Sequence, residues 1–305
     1  MSIELIEIAD SVRDRGDING AIELYQQAVK QWTKAINENP GETESHMYLA
    51  VSYSGLGACY CERKDYDKAE PDDIDKTEHF FGVAQGMLER LFVDTQNYEV
   101  LLHLIVTLQN QAILALEQSD IARCEQNIEA LDKWVKQLKS FEGIVNKPVL
   151  AEAVQNKIRA DIARKQGRHE VAIDFIERAI ELANRAKAHH LGRSEANLWL
   201  ELLCYLAEIH TELKQFSQGL NVLKTAIHYL EFFTDSPILL NMTKISQLAV
   251  MTQYHFLLRK TGASVSELDD IAERAANLLD KTPEIHYDQM SKLRMRYNQE
   301  FDDNL

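Results

Sequence analysis

Apolar residues recur along most of the chain at the three- and four-residue spacing of one face of an α-helix. Between residues 98 and 117, for example, Leu101, Leu104, Ile105 and Leu108 follow this spacing. Short polar segments containing Gly, Pro, Asp or Asn separate the periodic stretches, as turns between helices do. The pattern predicts an all-α chain that folds as consecutive antiparallel helix pairs.

Six helix hairpins and one final helix account for most of the sequence, which we predict to form a single domain over residues 1–305. Gly16-Asp17 marks the turn inside the first hairpin, and Asn39-Pro40-Gly41 closes that hairpin. Ser264 and Glu267 have the spacing of a capping box. The predicted hairpins cover residues 2–37, 43–93, 98–141, 149–187, 194–233 and 238–281. A polar helix over 284–300 would cap the array.

The second hairpin contains an acidic insertion. Pro71-Asp72-Asp73 interrupts the helical pattern, which resumes near Ile74. The run Asp72-Asp73-Ile74-Asp75 is similar to a magnesium-binding motif only superficially. We therefore interpret it as an exposed, solvated segment.

Residues at fixed positions of three helix pairs resemble the tetratricopeptide repeat (TPR), in which large residues lie where helices touch and small ones where they approach closest. In the first hairpin these are Leu5, Ile8, Ala9, Val12, Ala21, Tyr25 and Ala28. In the second they are Tyr53, Leu56, Gly57, Tyr60 and Ala69, and in the fourth Ala172, Ile176 and Ala179. The glycine at position 57 can be explained physically, because the missing side chain lets a neighbouring helix approach closely.

The repeat length departs from that family. Equivalent positions after each turn, at Ala21, Ala69, Cys124, Ala172 and Gly219, are 48, 55, 48 and 47 residues apart, whereas a TPR unit has about 34 residues. The helices or their connections must be longer here, so the chain is best described as TPR-like.

The resemblance implies a right-handed superhelix whose concave groove is lined by the first helix of each pair and binds other proteins. The inward positions in this register are Asp10, Arg13, Gln109, Glu117, Lys157, Asp161, Arg164, Glu208 and Glu212. Their mixed but mainly acidic charge favours a peptide or helix bearing Lys or Arg. The TPR positions that hold a C-terminal carboxylate fall here on Ile6, Asp10, Gly55, Val106 and Asn110 and supply no lysine.

We predict from this resemblance a non-catalytic scaffold or adaptor protein. A second interpretation is a regulatory sensor subunit, in which the array binds a peptide and acts through a separate output partner. A third, less favoured one is an enzyme of helical fold.

The motifs that would support an enzyme are incomplete. His169-Glu170 begins a zinc-protease motif, but Ile173 occupies the position of the second histidine. The two thiols of Cys59-x-Cys61 would lie on opposite sides of a helix, which is poor geometry for a metal. The phosphate-binding glycine motifs are missing from the sequence. We therefore predict no catalytic residues, no metal and no cofactor.

Charge and cysteine content bear on partners and compartment. The formal net charge is -15 and the isoelectric point about 5.1, a field that repels nucleic acid and anionic membranes and attracts basic partners. Four cysteines within helical patterns are typical of a reducing compartment. With no secretory signal at the N-terminus and no uninterrupted apolar stretch long enough for a membrane span, we expect a cytoplasmic protein.

Overall fold

The computed structural model describes residues 3–14, 16–63, 72–141, 143, 146–189, 193–232 and 243–280. Within these ranges there are twelve α-helices and no strand, which confirms the all-α prediction. The helices are α1 (Glu4–Asp14), α2 (Ile18–Glu38), α3 (Thr43–Arg63), α4 (Asp73–Thr95), α5 (Tyr98–Glu117), α6 (Ile121–Leu138), α7 (Asn146–Lys165), α8 (His169–His189), α9 (Arg193–Glu212), α10 (Phe216–Phe232), α11 (Thr243–Thr261) and α12 (Val265–Asp280).

The chain divides into two compact units, unit 1 over Met1–Ala151 and unit 2 over Glu152–Leu305. In unit 1 each helix packs against the next from α1 to α6, and α3 also contacts α1 and α5. In unit 2 the sequential packing runs from α8 to α12, and α9 contacts α11. Contacts between first helices of successive pairs show that hairpins stack side by side within each unit.

The turns within five hairpins share one backbone geometry. A residue one or two positions after the end of the first helix has a positive φ in each case: Gly16, Ser119, Gly167, Lys214 and Gly262. The N–H of the next residue then donates to a helix carbonyl five positions back, as Arg168 does to Ala163 at 2.8 Å and Gln215 to His210 at 2.8 Å. This is a Schellman cap, which satisfies the last carbonyls of the helix. The last four turns are 48, 47 and 48 residues apart, so the repeat length expected from the sequence is built into the structure.

Two glycines let α3 pack closely between its neighbours in unit 1. A Cβ at Gly55 would overlap the ring of Tyr25 in α2, and a Cβ at Gly57 would lie 2.7 Å from Cδ1 and Cε1 of Phe81 in α4. Tyr25 and Phe81 are each 1% exposed. The predicted role of Gly57, close approach of a neighbouring helix, is confirmed.

The repeat-signature residues of the first hairpin are mostly in the core. Ala9, Ala21, Tyr25 and Ala28 are buried. The expectation for Ile8 is wrong, because its side chain is 48% exposed. Ile6, which was not among the signature residues, is buried in its place, three residues before the buried Ala9.

The acidic insertion is only partly solvated, which corrects the sequence-based interpretation. The helix resumes at Asp73, close to the predicted position, but the Asp73 side chain is only 1% exposed and pairs with the guanidinium of Arg63, whose Nε donates to Oδ2 at 3.0 Å. Burial of a carboxylate requires such a partner, and Arg63 at the end of α3 supplies it. Asp72 remains exposed and pairs with Lys76 at 2.9 Å.

Some predicted boundaries differ or cannot be compared. Helix α7 begins three residues before the predicted position, with Pro148 inside its first turn, where a proline is tolerated. The start of the sixth hairpin at 238 and the terminal cap over 284–300 lie outside the described residues.

Helix α5 is a core element of unit 1. Val100, Leu101, Leu104 and Leu108 are all fully buried in it. Among the described helices, α5 alone is long and apolar enough to span a membrane by length and composition. An 18-residue stretch of α5 has a mean hydropathy of 1.4, and 67% of that stretch is buried in the fold.

Candidate functional site

The nine predicted groove residues fall on first helices of their pairs, and five of them come together in unit 2. Lys157, Asp161 and Arg164 lie on one stripe of α7, spaced four and three residues apart. Glu208 and Glu212 lie on α9. The structure connects these two stripes through ion pairs between side chains.

The first connection is centred on Lys157. Its Nζ lies 3.6 Å from Oδ2 of Asp161 on the same helix and 3.2 Å from Oε1 of Glu201 on α9. Burial alone would lower the pKa of Lys157, but the charges of Glu201 and Asp161 outweigh it and raise the pKa. Lys157 therefore stays charged and holds two carboxylates. We refer to Lys157, Asp161 and Glu201 as the lysine triad.

The second connection is centred on Arg164. Its Nε donates to both carboxylate oxygens of Glu212, at 3.2 and 3.0 Å, and its Nη1 donates to Oε2 of Glu208 at 3.2 Å. The hydrogen bond from Arg164 lowers the pKa of Glu212. His169 at the start of α8 lies 3.7 Å from the same carboxylate. We refer to Arg164, Glu208 and Glu212 as the arginine triad.

Tyr205 lies on α9 between the two triads. The Lys157 Nζ and the Arg164 Cζ lie over its ring, 5.6 and 4.9 Å from the centroid, at distances that allow cation–π attraction. Tyr205 is 9% exposed, and its buried hydroxyl shares hydrogen bonds with the Asp161 carboxylate and the Arg164 guanidinium. Burial, then the charge of Asp161, raises the pKa of Tyr205, so the phenol is neutral.

Asp10 and Arg13, on α1 in unit 1, form a separate network. The Tyr25 hydroxyl donates a hydrogen bond to Oδ1 of Asp10. The Arg13 guanidinium lies close to two carboxylates: its Nη2 is 3.9 Å from Oδ1 of Asp10, and its Nε is 3.6 Å from Oε1 of Glu62 on α3. These contacts tie the first hairpin to the second.

The two predicted residues of α5 differ from each other. Gln109 is only 8% exposed, and its Nε2 donates to the carbonyl of Ala151 at 3.3 Å. Its amide is thus occupied in packing α5 against the start of α7 rather than offered to a partner. Glu117 is exposed and accepts a weak hydrogen bond from the Cys61 thiol at 3.7 Å.

Sequence reasoning missed Glu201 and Tyr205. Both lie on the same stripe of α9 as Glu208 and Glu212, at positions 201, 205, 208 and 212. Helical spacing could have identified them, but the partners of each charge on the adjacent first helix could not be read from the sequence.

A second group of missed residues lies in unit 1. Burial, then the carboxylates of Glu44, Glu99 and Glu7, raises the pKa of Tyr48. These three glutamates belong to α3, α5 and α1, so successive first helices bring negative charge to one tyrosine, whose ring stacks on Trp32 with centroids 5.1 Å apart.

Two of the four cysteines, Cys59 and Cys204, are not suited to nucleophilic chemistry. None of the four forms a disulfide bond, and burial raises the pKa values of Cys59 and Cys204 to about 12. At neutral pH these two groups are thiols rather than reactive thiolates. In the described ranges, no three His, Cys, Asp or Glu side chains are grouped closely enough to hold a metal ion.

Comparison with known proteins bears on the repeat itself. The family model of the tetratricopeptide repeat matches residues 158–185, which span the C-terminal part of α7, the turn at Gly167 and most of α8. The chain has no match among curated proteins. It is similar to the crystal structure of BtubC (BKLC) from P. vanneervenii, with a TM-score of 0.61, 12% sequence identity, and coverage of 86% of this chain and 91% of that chain. Such low identity shows likeness of fold alone.

The repeat match falls on the fourth hairpin, whose signature residues Ala172, Ile176 and Ala179 are fully buried. Together with the all-helical fold and the recurring hairpin turns, this match shows that the protein is a TPR-like helical repeat protein.

Proposed function

We propose that the protein is a non-catalytic scaffold that binds a segment of another protein on the surface formed by the first helices of its hairpins. TPR repeats generally mediate protein–protein interactions, and the repeat match suggests such a scaffold. The raised pKa values of the Cys59 and Cys204 thiols also favour binding over catalysis. Four cysteines without a disulfide bond support our proposal that the protein acts in a reducing compartment such as the cytoplasm.

The observation that carries this proposal is the pair of charge triads between α7 and α9. Each triad joins two first helices through side-chain contacts of 2.5 to 3.2 Å, which fix the polar groups before any partner arrives. A pre-ordered surface loses less side-chain entropy on binding than a flexible one. The exposed carboxylates on α9 therefore form the recognition surface of this proposal.

The test is capture of partner proteins from an extract of the source cells, with the immobilised protein in three forms. The wild type is compared with a double reversal on α9, Glu201→Lys with Glu208→Lys. The matched control is Glu177→Lys with Glu181→Lys on α8, which changes the net charge equally at two exposed residues of a second helix.

We expect a specific protein to be retained by the wild type and the α8 control and lost by the α9 variant. Mass spectrometry of the retained proteins gives the readout, and circular dichroism checks that each variant is folded. Retention of the same proteins by all three forms would show that the first-helix surface of unit 2 is not where partners bind.

A further inference from the structure

We infer that the α7–α9 surface binds a partner segment through two basic side chains, one Lys or Arg at each triad. This inference rests on the proposed scaffold function and specifies the chemistry of the partner. Its basis is the charge balance of the triads and the exposure of their members.

Each triad carries one negative charge more than its cation neutralises. Lys157 faces Asp161 and Glu201, and Arg164 faces Glu208 and Glu212. One cation with two carboxylates leaves a net charge of -1 per triad when both acids are ionised. A partner cation at each position would complete the balance, whereas an acidic segment would be repelled.

The exposure of the side chains sets which charge a partner meets first. The cations are in the floor of the surface, with the side chains of Lys157 and Arg164 only 21% and 25% exposed. The carboxylates of α9 form its rim, with Glu201, Glu208 and Glu212 being 58%, 42% and 41% exposed. The surface therefore presents oriented carboxylates outward.

Tyr205 holds the two triads in a fixed arrangement. The Lys157 and Arg164 cations lie over its ring, and its hydroxyl shares hydrogen bonds with the Asp161 carboxylate and the Arg164 guanidinium. The cations are therefore ordered before a partner binds, and the carboxylates of α9 are oriented by them.

The spacing of the triads defines the spacing of the basic residues. Glu201 and Glu208 are separated by seven residues of α9, or about 10 Å along the helix axis. An extended polyproline-type segment rises about 3.1 Å per residue and turns once in three residues, so basic residues three positions apart lie on one face about 9 Å apart. The segment we propose carries Lys or Arg with this three-residue spacing.

The probe is a short fluorescent peptide with lysine at every third position between prolines and alanines, and its binding is followed by fluorescence anisotropy. A peptide with glutamate in place of lysine is the charge control. The protein variant is Glu201→Gln with Glu208→Gln, which removes the surplus charge but leaves Asp161 and Glu212 as partners for the two cations. Its matched control is Glu177→Gln with Glu181→Gln on α8, which alters the net charge by the same amount.

We expect the lysine peptide to bind the wild type and the α8 control equally, and the α9 variant at least about fivefold more weakly, since two partly exposed ion pairs are lost. The glutamate peptide should not bind. Equal weakening by both variants would mean that only the overall charge of the chain attracts the peptide, and it would overturn the inference. Failure of the lysine peptide to bind the wild type would overturn it as well.

The inference and the scaffold proposal can fail separately. A protein captured from extract in a manner that depends on Glu201 and Glu208, but not displaced by the lysine peptide, would keep the scaffold function and refute the basic segment.

Discussion

Replacement of Gly57 tests the helix packing on which the repeat architecture depends. The position lies inside α3, and a Cβ there would lie 2.7 Å from two ring carbons of Phe81 and 3.0 Å from a third. Carbon atoms in contact prefer about 3.5 to 4.0 Å, so the overlap is close to 1 Å. Phe81 is 1% exposed and has little room to move.

Two effects oppose each other in Gly57→Ala. Replacing a helix-interior glycine by alanine favours the helix by about 1 kcal/mol, while overpacking a close contact costs about 1–3 kcal/mol. Gly82→Ala in α4 is the matched control, because Gly82 is exposed and a Cβ there meets nothing within 4 Å. Both variants gain the same helix stability from the replacement of glycine by alanine, so this gain cancels in the comparison. Their free energies of unfolding should therefore differ by the cost of overpacking, about 1–3 kcal/mol.

Urea denaturation followed by circular dichroism measures this difference, and amide hydrogen exchange in α3 and α4 localises it. Gly82→Ala should be as stable as the wild type or more so, and Gly57→Leu should be at least as damaging as Gly57→Ala. Equal stability of the two alanine variants would refute the close approach of α3 and α4 at Gly57, and with it the assigned repeat register.

Three further predictions concern a turn, a buried ion pair and a histidine. Lys214 has a positive φ of 59°, so Lys214→Gly should raise the free energy of unfolding by up to about 1 kcal/mol in urea titrations; a loss of stability would contradict the turn geometry. Arg63→Ala leaves the buried Asp73 carboxylate without its guanidinium and should cost about 3 kcal/mol, and in a double-mutant cycle with Asp73→Ala the two losses should not add; additive losses would argue against the pair. Burial lowers the pKa of His255 to about 4, so the unfolded chain binds the proton first, and stability should fall as the pH drops from about 6.5 to about 4; His255→Gln should flatten that slope, and an unchanged slope would assign it to other groups.

The sequence was sufficient for features that depend on neighbouring residues. Helical periodicity, the turn residue Gly16 and the capping box at Ser264 are local signals, and the structure has helices, a positive φ and the expected hydrogen bonds at these places. The close contact at Gly57 was also predictable, because the repeat signature states where helices meet. By contrast, Ser119 and Lys214 occupy the same turn position as the glycines without a local sign of it.

The candidate site was predictable only in part. Positions of Lys157, Arg164 and Glu208 on first helices followed from the repeat register. That Glu201 completes one triad, and that Tyr205 is buried between them, required the packing of α7 beside α9.

The sequence alone determined that this chain forms stacked helix hairpins, because periodic apolar residues and turn residues act within a few positions of each other. The tertiary structure decided which charges neutralise each other, that Asp73 is buried with Arg63, and which carboxylates remain in surplus. The physical reason is the separation of the partners along the chain. An ion pair between neighbouring hairpins joins residues more than forty positions apart, and Arg164 and Glu212 are 48 positions apart. Only the packed helices place them within hydrogen-bonding distance.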